Sequence, residues 1–202
     1  MIKEKLIKLV QSKFTGVNAT ADTRNQYHPL YIEQYLNMAF NTLIYTTFRK
    51  DLSNLDQYCK TYHDVPVLHE ESTDTYYSLL PVPVVQLPDA ANGVRRISGM
   101  QNKYTTEYIP LKRDSWDIWA QNNVAQTSKE NGYCPRIDRV EYFRKPIHDA
   151  VKMDILPLFD SYESTDDIPI PSGADVKLFE IMMALMQGQQ PSDKINNNIS
   201  MK

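Results

Sequence analysis

The side chains equipped for catalysis or metal binding are four histidines, two cysteines and several clustered carboxylates. His69-Glu70-Glu71 begins as a zinc-protease motif does, in which a second histidine four residues after the first completes the ligand face. Thr73 stands at that position, so the motif fails. His63 and His69 with Asp64 and Glu70 carry donors, but they flank Pro66, between a helix end and a strand, with no fourth ligand at the usual spacing. The acidic run Asp160, Glu163, Asp166 and Asp167 has the residue types for paired acid-base work or for a calcium loop. It lacks the glycine of such a loop's sharp turn and reads as a solvated connection. The 6 glycines are scattered, so no loop brings backbone amides onto a phosphate. No serine sits in a nucleophile elbow, and neither Cys59 nor Cys134 has histidine and carboxylate neighbours in sequence. A triad assembled only in space lies outside such a reading. The expectation is a protein that is not an enzyme, with no cofactor and no metal.

With 202 residues, 42% of them hydrophobic, the chain is long enough to bury a real core. A net charge of −3 argues against a protein that grips nucleic acid through its phosphates. No window approaches the roughly 18 consecutive apolar residues of a membrane span, and the charged, amphipathic start does not resemble a signal peptide. The expectation is a soluble protein made in a cytoplasm, with both cysteines reduced. The pattern at Asn18-Ala19-Thr20 and at Asn198-Ile199-Ser200 matches a glycosylation acceptor but carries no weight without secretion.

Any site must be positioned by elements of two kinds. Ile2, Leu6, Leu9, Val10 and Phe14 predict an amphipathic first helix, stopped at Thr15-Gly16. Pro29 fits the first turn of a second helix, in which Ile32, Leu36, Ala39 and Leu43 recur at three and four. Tyr35, Phe40, Ile44 and Phe48 widen that face, which predicts burial against more than one neighbour. Ser53-Asn54 reads as a break and new cap, and Leu55, Tyr58, Cys59 and Tyr62 as a short helical continuation before Pro66. The period then changes to two, predicting strands over 65–70, 75–80, 94–100, 107–111, 137–144 and 151–156. Three prolines make 81–88 an edge or an ordered loop. Residues 114–119 carry both tryptophans and predict a short helix packed over the sheet. Ser172 is read as the cap of a closing helix, with Asp175 completing the box and Gly188 and Pro191 ending it.

These elements predict an α+β fold: N-terminal helices and a C-terminal helix packed together, with a central inserted region of short, mainly antiparallel strands. The expected organisation is one domain over 1–191, helical at 1–63 and 172–188 and strand-rich at 64–160, followed by a flexible tail, 192–202. The 13 tyrosines admit two readings, subunit interface or ordinary sheet composition, and Tyr76, Tyr77, Tyr104, Tyr108, Tyr133 and Tyr142 fall in the strand region. Met182, Met183 and Met186 read as core filling, spread widely enough for contact on two sides.

Four stretches carry a family resemblance: the opening run Lys3 to Gly16, the helix Ile32 to Asn41, the strand end Pro83-Val84-Val85-Gln86-Leu87-Pro88, and Asp167 to Gly173 before the last helix. In this order they resemble the head-to-tail connector proteins, also called adaptor or ring proteins, of short-tailed phages, especially the crAss-like phages of gut Bacteroidales. The resemblance covers most of the chain and includes no catalytic signature.

It implies a structural virion protein at the head-tail junction, made and assembled in the host cytoplasm. About twelve copies would form a homo-oligomeric ring below the portal protein, dock adjoining ring or tail proteins, and continue the DNA channel without sequence-specific binding and without a membrane. A mildly acidic ring suits a channel through which DNA must slide. The candidate partner-contact residues are Trp116, Trp119, Asn196, Asn197, Asn198 and Ile199. The alternatives are a non-virion assembly accessory protein and, remotely, a small hydrolase. If the tail orders on a neighbour, deleting 192–202 leaves the melting temperature unchanged but weakens retention in a portal pull-down; undiminished retention refutes that role.

Overall fold

The computed structural model describes residues 1–15, 28–99, 108–116 and 131–186. The chain divides into two compact units, one built from Met1–Asn54 together with the chain from Tyr162 onward, the other from Leu55–Ser161. The second unit is thus an insertion between the two halves of the first.

The first unit is helical. Helix α1 (Lys3–Thr15) buries Leu6 and Val10 but leaves Leu9 exposed. The Phe14 side chain lies outside the described set. Helix α2 (Pro29–Lys50) starts where proline's missing amide hydrogen costs nothing, behind His28, whose Nδ1 accepts from the Leu30 amide at 3.4 Å. It buries Ile32, Leu36, Ala39, Phe40, Leu43 and Ile44, each such side chain stabilising by about 1.5–3 kcal/mol for the larger residues. Helix α3 (Ala174–Met186) buries Leu178, Ile181 and Met182, and α2 packs against both α1 and α3. The terminal helices therefore pack together as the periodicity predicts.

Lys3 ties this unit together. Its side chain is only 7% exposed, and its ammonium donates to the Tyr162 carbonyl at 2.8 Å and pairs with Glu33 of α2 at 2.5 Å. Alongside it the Lys3 and Glu4 amides donate to the carbonyls of Asp166 and Ser164, and Ile2 bridges to Asp167.

The inserted unit holds two sheets. Strands β1 (Lys60–Pro66), β8 (Ala150–Ile155) and β4 (Val94–Gly99) form an antiparallel sheet in the order β1-β8-β4. Strands β2 (Leu68–Glu70), β3 (Thr75–Leu79), β7 (Arg139–Tyr142), β6 (Gly132–Pro135) and β5 (Ile109–Pro110) form the other in that order, antiparallel except for the β5–β6 pair. One apolar core serves both, with Val65, Val94, Ile97, Val151, Met153 and Ile155 from the first and Tyr133, Val140 and Tyr142 from the second. The proline segment is an ordered loop: Leu158 donates to Pro83, Val85 to Leu156, and Val84 bridges to Pro157.

Several sequence readings are corrected. The helical continuation through Tyr62 is instead a 3-10 helix, Leu52–Tyr58, with strand from Lys60, so the helical span does not reach residue 63. Pro66 is tolerated because it ends an edge strand. The break is capped by Asp51, whose carboxylate accepts from the Ser53 amide, the Ser53 hydroxyl and the Asn54 amide group at 2.7–3.0 Å. The closing helix begins at Ala174, not just after Ser172. Gly173 takes φ +85°, a left-handed backbone that glycine adopts without strain, and this displaces Ser172 from the cap position. Gly188, Pro191 and residues 117–119 of the tryptophan segment lie outside the described residues. Strand β6 was not foreseen, because Asn131-Gly132 and Pro135 punctuate it at both ends.

Gly93 lies under the proline loop, where a Cβ would collide with the Val85 carbonyl oxygen and stand 2.8 Å from Val84 Cβ. Gly93→Ala is expected to cost about 1–3 kcal/mol through this overpacking. A thermal melt checks it, and an unchanged melting temperature contradicts the packing described.

Candidate interaction surface

The chemistry-bearing side chains do not converge. His69 Nε2 lies 2.9 Å from Asp74 Oδ1, and its ring stacks on Tyr76 at 4.4 Å. Glu70 instead accepts from the Thr73 hydroxyl and faces Arg139, while His63 and Asp64 are exposed at a bulge where Asp64 has φ 55°. Of the acidic run, Asp166 accepts from the Glu163 amide and Asp167 faces the Met1 ammonium. Among the described residues no group of three or more histidine, cysteine or carboxylate side chains is placed to hold a metal ion.

Neither cysteine is in a disulfide; Cys134 is buried and Cys59 half-buried. Burial, then the charges of Asp56 and Asp154, push the Cys59 thiol up to about 12 against the opposing Arg95 and Arg96, so it stays protonated and a poor nucleophile at neutral pH.

The described strand tyrosines make contacts within the fold. Tyr76, Tyr142 and Tyr133 lie in register across β3, β7 and β6. Tyr133 donates to the Val94 carbonyl at 2.9 Å and Tyr142 bonds Ser78 at the same distance, so both hydroxyls are satisfied inside the core. Burial raises the pKa of each. Tyr108 is buried beside Tyr142, Tyr76 and Tyr77 are half-buried, and Tyr104 lies outside the described residues.

One polar recess lies at the β6–β7 turn, lined by Gln86, Asn92, Arg136, Ile137, Arg139 and Glu141 among others. Glu141 accepts from Arg136 at 2.7 and 2.8 Å and from Arg139 at 2.9 Å. Burial alone would raise the Glu141 carboxyl, but the two guanidiniums outweigh it and hold the pKa below the usual range. Arg139 also lies 3.5 Å from Glu70 and over the Tyr77 ring. The two cations are thus internally balanced, and the recess has the character of a structural ion network rather than an anion site.

What the surface does offer is apolar area. On α2, Tyr31, Met38 and Tyr45 are 54%, 53% and 46% exposed, and no charged residue occurs between Glu33 and Arg49. A solvent-facing helix ordinarily carries charge on its outer face. On α3, Val176 and Met183 are exposed around Glu180. In the inserted unit Ile137, at the β6–β7 turn, is 85% exposed, and Ile147 and Leu79 are exposed as well.

Of the six partner-contact residues expected from sequence, Trp119, Asn196, Asn197, Asn198 and Ile199 lie outside the described residues. Trp116 is half-buried and packs edge-on against Phe143 at 5.8 Å, a role in the fold that leaves only part of the ring for a partner. The outward face of α2 was legible as a seven-residue repeat of Tyr31, Met38 and Tyr45, a signal masked by the stronger core stripe of the same helix.

Because Glu141 has a depressed folded pKa, its contribution is present above the unfolded carboxylate value and lost as pH falls through the folded one. The melting-temperature gap between wild type and Glu141→Gln should therefore be widest near pH 7 and close toward about pH 3. A gap independent of pH refutes the network.

Comparison with protein-family models, with curated proteins and with solved structures finds no match, so the surface and its chemistry stand where a relative would.

Proposed function

We propose that this chain is a structural subunit of a phage virion, one copy in a ring at the head-tail junction beneath the portal. The observation that carries this reading is the distribution of exposed apolar side chains. Both units present them: Tyr31, Met38, Tyr45 and Val176 on the helical unit, Leu79, Ile137 and Ile147 on the inserted one. Exposed apolar side chains that share one face, as Tyr31, Met38 and Tyr45 do on α2, can serve as a contact surface, and a protein that also exposes apolar side chains on its other unit has material for a second neighbour.

Two further features support it. The four stretches that resemble phage connector proteins include the α2 core segment and the turn before α3. The β-rich insertion in a helical unit made from both chain ends also suits a ring component, with helices available for lateral contact and a separate unit available to an adjoining ring. In this role the activity is assembly, and the contribution of each residue is geometric: seal the head, continue the channel and present a docking surface.

Electron micrographs of the purified protein mixed with its portal protein should show rings stacked on the portal, and mass spectrometry of purified virions should detect the chain in stoichiometric amounts. Particles that lack the polypeptide would refute the proposal in favour of an assembly factor released before maturation.

A further inference from the structure

The dipeptide Asn-Gly occurs twice, at Asn92-Gly93 and at Asn131-Gly132. In such a pair the asparagine can modify itself, because glycine has no side chain to shield its own amide nitrogen. That nitrogen attacks the asparagine Cγ, the N–Cγ bond forms as the Cγ–Nδ2 bond breaks, and ammonia leaves with the proton that the amide gives up. Water then opens the five-membered imide at either carbonyl, leaving an aspartyl or an isoaspartyl residue. Ring closure requires the attacking nitrogen and Cβ to lie on the same side of the asparagine Cα–C bond, so the backbone decides how readily the step occurs.

The fold holds the two pairs differently. Asn131 is 7% exposed, its Oδ1 accepts from the Arg144 amide at 3.0 Å and its Nδ2 donates to the Arg144 carbonyl at 2.8 Å. The Asn131 carbonyl accepts from the Ile109 amide, and Gly132 opens strand β6, so the peptide unit that would have to rotate is held as well.

Asn92 stands at the first corner of a turn that the Val94 amide closes on the Ala91 carbonyl at 2.9 Å. It has φ 50°, and among the described glycines only Gly173 has a positive φ, so the turn is type II′. Such a turn ordinarily takes glycine at this corner. As the mirror image of type II it sets ψ there at about −120°, which eclipses the next nitrogen with Cβ, the arrangement that the imide ring needs. The Asn92 Oδ1 accepts from the Leu87 amide, and Nδ2 donates to Gln86 Oε1 at 2.7 Å. The Leu87 N–H thus lies on the oxygen that gains negative charge as the nitrogen attacks, and it polarises the carbonyl as an oxyanion donor does. The product is accommodated too: Asn92 lines the recess that holds Arg136 and Arg139, so a carboxylate formed there shares it with two guanidiniums.

We infer that Asn92 is a site of self-modification, its turn set for attack of the Gly93 nitrogen on the Asn92 side-chain amide, while the same dipeptide at Asn131 is locked. This chemistry is independent of any role in a ring.

Peptide mass spectrometry of the native full chain, sampled over time in mildly alkaline buffer, tests it. The Asn92 peptide should gain the mass of an amide-to-acid change more than about tenfold faster than the Asn131 peptide, because one pair is aligned and the other is held apart. In denaturant the two rates should converge, since only the folded backbone separates them. An Asn92 peptide that stays unmodified in the native chain, or equal rates at the two sites there, overturns the assignment. A difference that persists in denaturant also overturns it, because its cause would then lie outside the fold.

Discussion

The helical unit depends on one buried cation. Lys3 sits at the start of α1, and its ammonium is held by the Glu33 carboxylate of α2 and by the Tyr162 carbonyl of the chain returning from the insertion. Three segments far apart in sequence are joined at one atom. An ammonium removed from water is tolerated only when paired and hydrogen-bonded, and stripping a partner from such a pair costs about 3–5 kcal/mol when burial is complete. Glu33 remains a third exposed, so the cost here falls below that range. The helix α2 that carries Glu33 buries Phe40, Leu43 and Ile44 and packs against both α1 and α3.

The inserted unit solves a different problem. Short strands cannot bury much alone, so two small sheets share a single core, and one link between them is the polar end of a large side chain. Tyr133 belongs to the five-stranded sheet and bonds the carbonyl of Val94 in the three-stranded one. Tyrosine brings wide apolar area and one hydroxyl that must find a partner when buried, which makes it a device for registering one sheet on another. Ordered loops complete the closure: the Asn92 side chain accepts from the Leu87 amide, and Arg95 pairs with Asp89 at 2.6 Å.

Outside these cores, each unit also leaves large apolar side chains partly in water. The charge-free outer face of α2 is the longest run of them, from Tyr31 to Tyr45. Tyr45 stacks on Phe48 of the same helix, and the exposed half of these side chains is area of the kind an interface uses at its centre.

By itself the sequence determined the element types wherever periodicity was strong. The α2 core stripe, the 151–156 alternation and the α+β order were legible because burial of one face imposes a period of 3.6 or 2 on the residues that do it. It also showed that the His69 motif and the acidic run lack the spacing of metal loops. Only tertiary structure decided the rest. Whether Tyr133 and Tyr142 served core or interface depended on where Val94 and Ser78 would lie, and strand β6 existed only because β5 and β7 flanked it. The Ser172 cap gave way to Gly173 because the backbone turned left-handed there. The two outward helix faces became separable from the core stripes only once α2 had packed against α3. Spacing along a chain fixes which residues share a face, but which face meets water is settled by the partners that the fold brings to the other side.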